Sequence, residues 1–157
     1  MKLKNNVTFE NIIDMYEEQS GCAFDSRQID ELKTGYENGI NIEAYADPII
    51  NYFMMFRIRQ AIEERRQWLS NPKDQCRFAY FVYEEFNDVQ LDELAIGLSK
   101  GVDVEKYAMH SLNSDEMYLI RRGLEIGVDT TTLVYNGHDL HEIHQMLGVD
   151  NFYEIEE

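Results

Sequence analysis

The chain has 157 residues, with 30 Asp and Glu against 14 Lys and Arg, two Cys, two Pro and a hydrophobic fraction of 44%. Its ten Tyr, eight Phe and one Trp exclude the composition of a disordered acidic tail. At this length the chain affords one continuous core, so the sequence predicts a single domain over residues 1–157.

The N-terminal segment, residues 1–25, predicts a capping helix from about Phe9 to Gln19. No apolar stretch of seven residues follows the first lysines, and no eighteen consecutive residues are apolar, so neither a secretory signal nor a membrane span is expected. Cys22 and Cys76 are 54 positions apart, in neither a C-x-x-C pair nor a disulfide-dense pattern, so two reduced thiols are expected. The expected localisation is cytoplasmic.

A degenerate repeat occupies residues 26–70 and 87–150. Residues 29–46 have the sequence IDELKTGYENGINIEAYA, and residues 91–108 have LDELAIGLSKGVDVEKYA. A looser copy at 117–134 follows 26 residues after the second, and weaker copies lie at 55–65 and 140–150. Repeats of this length predict stacked helical units.

The first part of each unit has the pattern of an amphipathic helix. In residues 91–98 the apolar positions follow the i, i+3, i+4, i+7 spacing of such a helix. Asn87 or Asp88 is the predicted N-cap, and Ser26 and Ser114 are the caps predicted for the other copies.

Glycines recur at two places in each unit. One set directly follows the helix, where a residue in the left-handed conformation ends it: Gly39, Gly101 and Gly127. Two residues after each of these glycines, an Asn or Asp is predicted to cap a short second helix. The other set lies inside the helix and predicts a close crossing by the next unit's backbone: Gly35, Gly97 and Gly123.

Between the repeats, residues 71–86 carry an aromatic insertion. A helix is favoured here, apolar nearly all round and so deeply packed, because a strand pair would need a turn signal that the segment lacks. The predicted fold class is therefore all-α, with helix–Gly–short-helix repeats of about 26 residues stacked as a compact, solenoid-like domain.

The net charge of −16 is unevenly spread: residues 57–77 sum to +3 and residues 123–157 to −8. The arginines of residues 57–77 share a helix with Glu63 and Glu64, so this basic stretch is interpreted as forming ion pairs within the chain. The alternative is that it contacts an acidic partner or a second subunit. A field of this sign repels nucleic acid and attracts basic protein surfaces, so direct nucleic-acid binding is not expected.

Three histidines recur every third residue near Asp139, at His138, His141 and His144. Ligands at i, i+3 and i+6 converge poorly on a helix, so structural or solvated histidines are favoured, with His141, His144 and Asp139 as weak metal candidates. No nucleophile–base pair or phosphate-binding loop is evident, and the sequence predicts neither a cofactor nor an enzyme.

The motif (I/L)-x-x-L-x-x-G-(L/Y)-x-x-G-(I/V)-(D/N)-(V/I)-x-x-Y-A resembles the repeats of acidic helical proteins carried by phages and integrative elements of gut bacteria. The resemblance covers about residues 26–150 and implies no catalytic residues. Small acidic proteins of such elements include inhibitors of host defence nucleases, among them anti-CRISPR proteins, so the resemblance implies an anti-defence role by analogy of setting and charge.

Two hypotheses remain open. In the first, the chain is a non-catalytic acidic module that binds the basic surface of a nucleic-acid-binding nuclease, with no membrane involved. In the second, it is a self-associating structural or regulatory scaffold, for instance a homodimer. An enzyme that uses the histidine cluster is a distant third. The candidate contacts for the first hypothesis are Glu84, Glu85, Asp88, Asp92, Glu93, Asp115, Glu116, Glu154, Glu156 and Glu157.

Overall fold

The computed structural model describes residues 8–148, and within this range all regular structure is helical. The all-α helical-repeat class predicted from the sequence is confirmed. The N-terminal helix begins at Phe9, as predicted. The α-helices are α1 (Phe9–Ser20), α2 (Ser26–Glu37), α3 (Tyr52–Glu64), α4 (Pro72–Tyr83), α5 (Asp88–Lys100), α6 (Ser114–Glu125), α7 (Thr131–Tyr135) and α8 (Leu140–Leu147), and two 3₁₀ helices span Ile42–Ala44 and Val104–Lys106.

Capping boxes start α2, α5 and α6. The caps are Asp25, Asn87 and Asn113, whose side chains accept from the third helical N–H, while the side chain at that position accepts from the cap's own N–H. Asn87 is thus the cap of α5, but Ser26 and Ser114 are wrong as caps, because they are the first residues of their helices. The oxygen that reaches the backbone belongs to the Asp or Asn one residue earlier.

The chain divides into two compact units: unit 1 is Met1–Arg66 with Ser70–Tyr83, and unit 2 is Gln67–Leu69 with Glu84–Glu157. In unit 1, α3 packs against α2 and α4; in unit 2, α6 packs against α5, α7 and α8. The single domain predicted over residues 1–157 stays a prediction. Side chains at the centre of each core are fully buried: Leu32, Tyr45, Met55, Ile58, Ile62 and Phe78 in unit 1, and Leu94, Val104, Tyr107, Met117, Leu119 and Ile120 in unit 2.

One module occurs once in each unit, at residues 25–66 and, 62 positions later, at 87–128. Each copy is an α-helix, a glycine, a 3₁₀ helix, a loop and a second α-helix. The 26-residue repeat of the sequence is the spacing between the two α-helices of one module, and 36 residues separate the second helix from the first helix of the next copy, so the two spacings alternate along the chain. Residues identical between the copies include the pairs Gln28/Gln90, Glu31/Glu93, Tyr45/Tyr107, Asn51/Asn113, Arg59/Arg121 and Glu63/Glu125.

The glycines predicted to follow the helices do so. Gly39, Gly101 and Gly127 have φ angles of 80°, 75° and 82°, the left-handed region in which a Cβ is unfavourable. The short second helices after Gly39 and Gly101 are the two 3₁₀ helices, capped by Asn41 and Asp103 as predicted. After Gly127 the short helix is α7, and the predicted cap Asp129 is wrong, because Thr130 is the cap residue. The carboxylate of Asp129 instead accepts from the N–H of Thr131, the first residue of α7, at 2.9 Å.

The interior glycines contact their own module, so the predicted crossing by the next unit's backbone is wrong. A Cβ on Gly35 would overlap the hydroxyl of the buried Tyr45, and a Cβ on Gly97 would overlap that of Tyr107. At Gly123 the obstacle is the backbone oxygen of Val128. Each glycine therefore makes room for a segment that follows its own helix.

The aromatic insertion forms a helix, α4, but one of its faces is open. Phe78, Phe81 and Val82 are buried, whereas Tyr80 is 59% exposed and Tyr83 47% exposed. The prediction of burial all round is therefore wrong. The buried side chains of α4 lie on the face that packs on α3 and the first 3₁₀ helix, and the two tyrosines lie away from it.

Candidate protein-interaction surfaces

The junction of α4 and α5 presents three exposed carboxylates from the predicted set: Glu84, Glu85 and Asp88. The turn that carries them is held from within unit 2. Phe86 is buried, and its ring stacks on that of His110 with centroids 4.0 Å apart. The Nε2 of His110 lies 2.6 Å from the carbonyl oxygen of Glu84, which requires a proton on that nitrogen. We call Glu84, Glu85 and Asp88 the acidic turn.

Glu93, also in the predicted set, belongs to an internal ion pair. Its Oε2 lies 2.7 Å from Nε of Arg121, which is fully buried, and Glu125 approaches the same guanidinium at 2.5 Å. The side chain of Glu93 is 14% exposed. Its charge therefore stabilises the module rather than facing a partner, which a single sequence could not reveal because Arg121 lies 28 residues away.

The remaining candidates are divided between half-buried positions and residues outside the described range. Glu116 accepts from the backbone N–H of Asn113 at 2.8 Å as part of a capping box, so its carboxylate also has a structural role. Asp92 and Asp115 are half-buried. Glu154, Glu156 and Glu157 lie outside the described residues.

Arg59 in unit 1 repeats the arrangement of Arg121. Its guanidinium lies between Glu31, at 2.7 Å, and Glu63, at 3.0 Å, and the hydrogen bond that it donates to Glu31 raises the pKa of Arg59. Arg65 is buried, donates to the carbonyl of Ala61 at 3.1 Å and lies 3.7 Å from Oε1 of Glu64. The interpretation of the basic stretch as intramolecular pairs is therefore confirmed for Arg59 and Arg65.

Lys73 and Arg77, the last two basic residues of that stretch, lie exposed on α4. They are one helical turn apart and so share a face of α4. The basic stretch thus contains guanidinium groups with partners inside unit 1, an exposed Arg66 that donates to the carbonyl of Asn38 at 2.6 Å, and the exposed cations of Lys73 and Arg77.

The histidines do not form a cluster with Asp139. Its carboxylate caps α8 by accepting from the backbone N–H groups of His141, at 2.8 Å, and Glu142. His138 and His141 are exposed, whereas His144 is buried. Among residues 8–148, no group of three or more His, Cys, Asp or Glu side chains is placed to hold a metal ion.

The two cysteines are separate free thiols. Cys22 is exposed, and Cys76 is half-buried beside the side-chain amide of Asn41. Burial raises the pKa of the Cys76 thiol, and the charge of Glu43 acts in the same direction. A raised pKa keeps the thiol protonated and weakly nucleophilic.

An exposed apolar patch at the start of α3 is a surface that the sequence analysis missed. Ile49 is 80% exposed, Phe53 59% and Tyr52 40%. We call these three residues the α3 patch. The sequence signal that could have identified it is the alignment of the two modules, in which the matching positions are Ser111, Ser114 and Asp115.

Charge differs sharply between the two units. The residues of unit 1 include 13 Asp and Glu against ten Lys and Arg, a formal charge of −3, whereas those of unit 2 include 17 against four, a formal charge of −13. The negative charge of the chain therefore belongs mainly to unit 2, which also carries the acidic turn.

Comparison with protein-family models, curated proteins and solved structures finds no match. Among the described residues, none of the helices has the length and apolar character needed to cross a bilayer.

Proposed function

We propose that this chain is a non-catalytic, acidic protein-interaction module of the cytoplasm that binds the basic surface of a nucleic-acid-binding effector. The proposal includes the specific role of a mobile-element inhibitor of the anti-CRISPR or anti-restriction type. The observation that carries it is the concentration of charge in unit 2, with a formal charge of −13. A field of this strength accelerates encounter with a cationic surface and favours it over neutral ones.

The acidic turn is the best-supported contact within unit 2. Its carboxylates are exposed, while the stacking of Phe86 on His110 and the contact of His110 with Glu84 hold the backbone between them. A preformed turn loses little conformational entropy on binding. Carboxylates in such a turn can occupy positions at which a basic protein binds phosphate groups.

The test is a pull-down from nuclease-treated bacterial lysates with the purified chain as bait, at increasing salt and with DNA or RNA as competitor. The test variant is Glu84→Gln, Glu85→Gln and Asp88→Asn. The matched control, Asp14→Asn, Glu18→Gln and Glu37→Gln, removes the same charge from exposed positions of unit 1. Circular dichroism establishes that both variants keep the wild-type helix content.

We expect the wild type and the control to recover one basic nucleic-acid-binding protein that salt or added nucleic acid displaces. The acidic-turn variant should lose at least tenfold in recovery, since each exposed charge contact that is lost weakens binding by a few fold. Equal recovery by both variants would exclude the acidic turn. Recovery of the bait alone would contradict the proposal and favour the scaffold hypothesis.

A further inference from the structure

The α3 patch is rigidly presented. The carboxylate of Asp47 accepts from the N–H of Ile49 at 3.0 Å, which fixes the turn before α3. The buried side chain of Gln28 donates to the carbonyls of Pro48 and Ile50, on either side of Ile49. The turn therefore holds Ile49 outward while both neighbouring carbonyls are satisfied inside the module.

The second copy of the module shows that this scaffold does not require apolar residues at the patch. Gln90 makes the same pair of hydrogen bonds, to the carbonyls of His110 and Leu112, and Asn113 caps α6 as Asn51 caps α3. On that equivalent backbone the three positions are Ser111, Ser114 and Asp115. The backbone arrangement of the module therefore does not depend on the apolar residues of the α3 patch.

The patch is large enough for a weak specific contact. With exposed fractions of 80%, 40% and 59%, its three residues expose about 400 Å² per copy, within the range of the largest apolar patches on monomers. Two such faces together bury about 800 Å², which is typical of transient association and below the size of a permanent interface.

Charge favours a second copy of this chain as the occupant. The patch lies in unit 1, whose formal charge is −3, so two chains can approach there with less repulsion than through unit 2. Charged residues of both signs flank it: the guanidinium of Arg27 lies 5.0 Å from the centre of the Tyr52 ring, and Asp47 precedes Ile49. A two-fold pairing lets the cation of one copy face the anion of the other.

We propose that the α3 patch is a homodimer surface through which two copies of this chain associate weakly, Ile49, Tyr52 and Phe53 packing against the same residues of the second copy. Because apolar burial drives this contact and the net charge of −16 opposes it, salt strengthens the dimer. This is the opposite of the salt dependence expected for a basic partner on unit 2. Failure of one proposal therefore leaves the other standing.

The experiment is sedimentation velocity on the full chain from about 10 μM to about 1 mM, the range in which a contact of this size associates. The test variant, Ile49→Ser, Tyr52→Ser and Phe53→Asp, introduces the residues of the second module copy. Ser and Asp also suit the first turn of α3. The matched control, Ile126→Ser, Val128→Ser and Met146→Ser, removes three exposed apolar side chains of unit 2.

We expect the mass of the wild type and of the control to rise toward twice 18.5 kDa with concentration, more steeply at 0.5 M than at about 0.05 M salt. The patch variant should stay monomeric, its dissociation constant raised at least tenfold. If the triple variant loses helix content, Phe53→Asp alone replaces it, with the same expectation. A wild type that is monomeric throughout, as when another partner or a segment of its own chain covers the patch, overturns the proposal. So does a dimer that persists in the patch variant.

Discussion

At the scale of single residues, the most informative contact is that of a tyrosine hydroxyl on a helix glycine. It occurs in both modules, but with different hydrogen bonding. The hydroxyl of Tyr107 donates to the carbonyl of Glu93 at 2.9 Å, whereas that of Tyr45 has no hydrogen-bond partner among the described residues. The two copies therefore separate the steric part of the contact from its hydrogen bond.

Substitution of Gly35 by Ala tests the steric part. The variant gains about 1 kcal/mol of helix propensity but should be destabilised overall by about 1–3 kcal/mol, because the new Cβ overlaps the Tyr45 hydroxyl. Tyr45→Phe alone should cost under about 1 kcal/mol and should rescue most of the loss in Gly35→Ala, because it removes the overlapping hydroxyl oxygen. The rescue is not complete, since Cζ of residue 45 at 3.1 Å and Cγ2 of Ile42 at 3.2 Å must still shift slightly.

The same cycle at Gly97 and Tyr107 is the comparison for this prediction. There Val104 also lies 2.7 Å from the Cβ position, so Tyr107→Phe should rescue Gly97→Ala only in part. Urea unfolding of the four variants of each cycle gives the coupling energies. Additive effects at Gly35 and Tyr45 would show that the hydroxyl is not the obstacle.

Stability at alkaline pH should depend on the same tyrosines. Burial raises the pKa of Tyr45 and of Tyr107. An unfolded tyrosine loses its proton near pH 10, while the folded one keeps it, so their contribution is complete below pH 10 and is lost as pH rises further. Each should add a slope of roughly −1.4 kcal/mol per pH unit to the free energy of unfolding above pH 10.

Urea unfolding between pH 8 and about pH 11.5 measures this slope. Tyr45→Phe should remove the contribution of one tyrosine from the pH slope of the free energy of unfolding. The control is Tyr83→Phe, at a 47% exposed position, which should leave that slope unchanged. A wild-type slope in Tyr45→Phe would contradict the assignment.

At the scale of the elements, one glutamine joins a helix start to the loop after the 3₁₀ helix. Gln28 and Gln90 occupy the third position of α2 and α5, where the side-chain oxygen completes the capping box. Each amide nitrogen then donates to two loop carbonyls about twenty residues later. The hydrogen bond within the capping box is local and follows from the sequence of the helix start. The hydrogen bonds to the loop carbonyls depend on where the loop lies.

Gln28→Glu should separate these two links. A carboxylate keeps the cap acceptor but offers no donor, so two loop carbonyls lose their partner and face a buried charge. We expect the free energy of unfolding to fall by about 2–4 kcal/mol. Glu116→Gln is the matched control at the same position of α6 and should change it by under about 0.5 kcal/mol. Thermal melting that shows equal effects would mean that the loop hydrogen bonds contribute little.

At the scale of the whole molecule, the chain contains two similar modules that differ at their surfaces. The buried tyrosines, the glutamine links and the Glu–Arg–Glu pairs are common to both. The formal charges of the two units, −3 and −13, and the α3 patch are not. Two similar modules with different surfaces suit the two contacts proposed above, of the acidic turn with a basic partner and of the α3 patch with a second copy.

The helical class, the repeat and the glycine stops were determined by the sequence itself, because helix periodicity and end signals act within four residues of one another. Only the tertiary structure decided which charged side chains are exposed to solvent and which residue each interior glycine contacts. Glu93 and Glu84 look equivalent in the sequence, yet Arg121, 28 positions from Glu93, holds only the first. Gly97 contacts the hydroxyl of Tyr107 because the 3₁₀ helix that follows α5 packs back on α5. The exposure of Ile49 likewise depends on the path of the loop before α3. Such contacts depend on the path between distant residues, which local patterns do not encode.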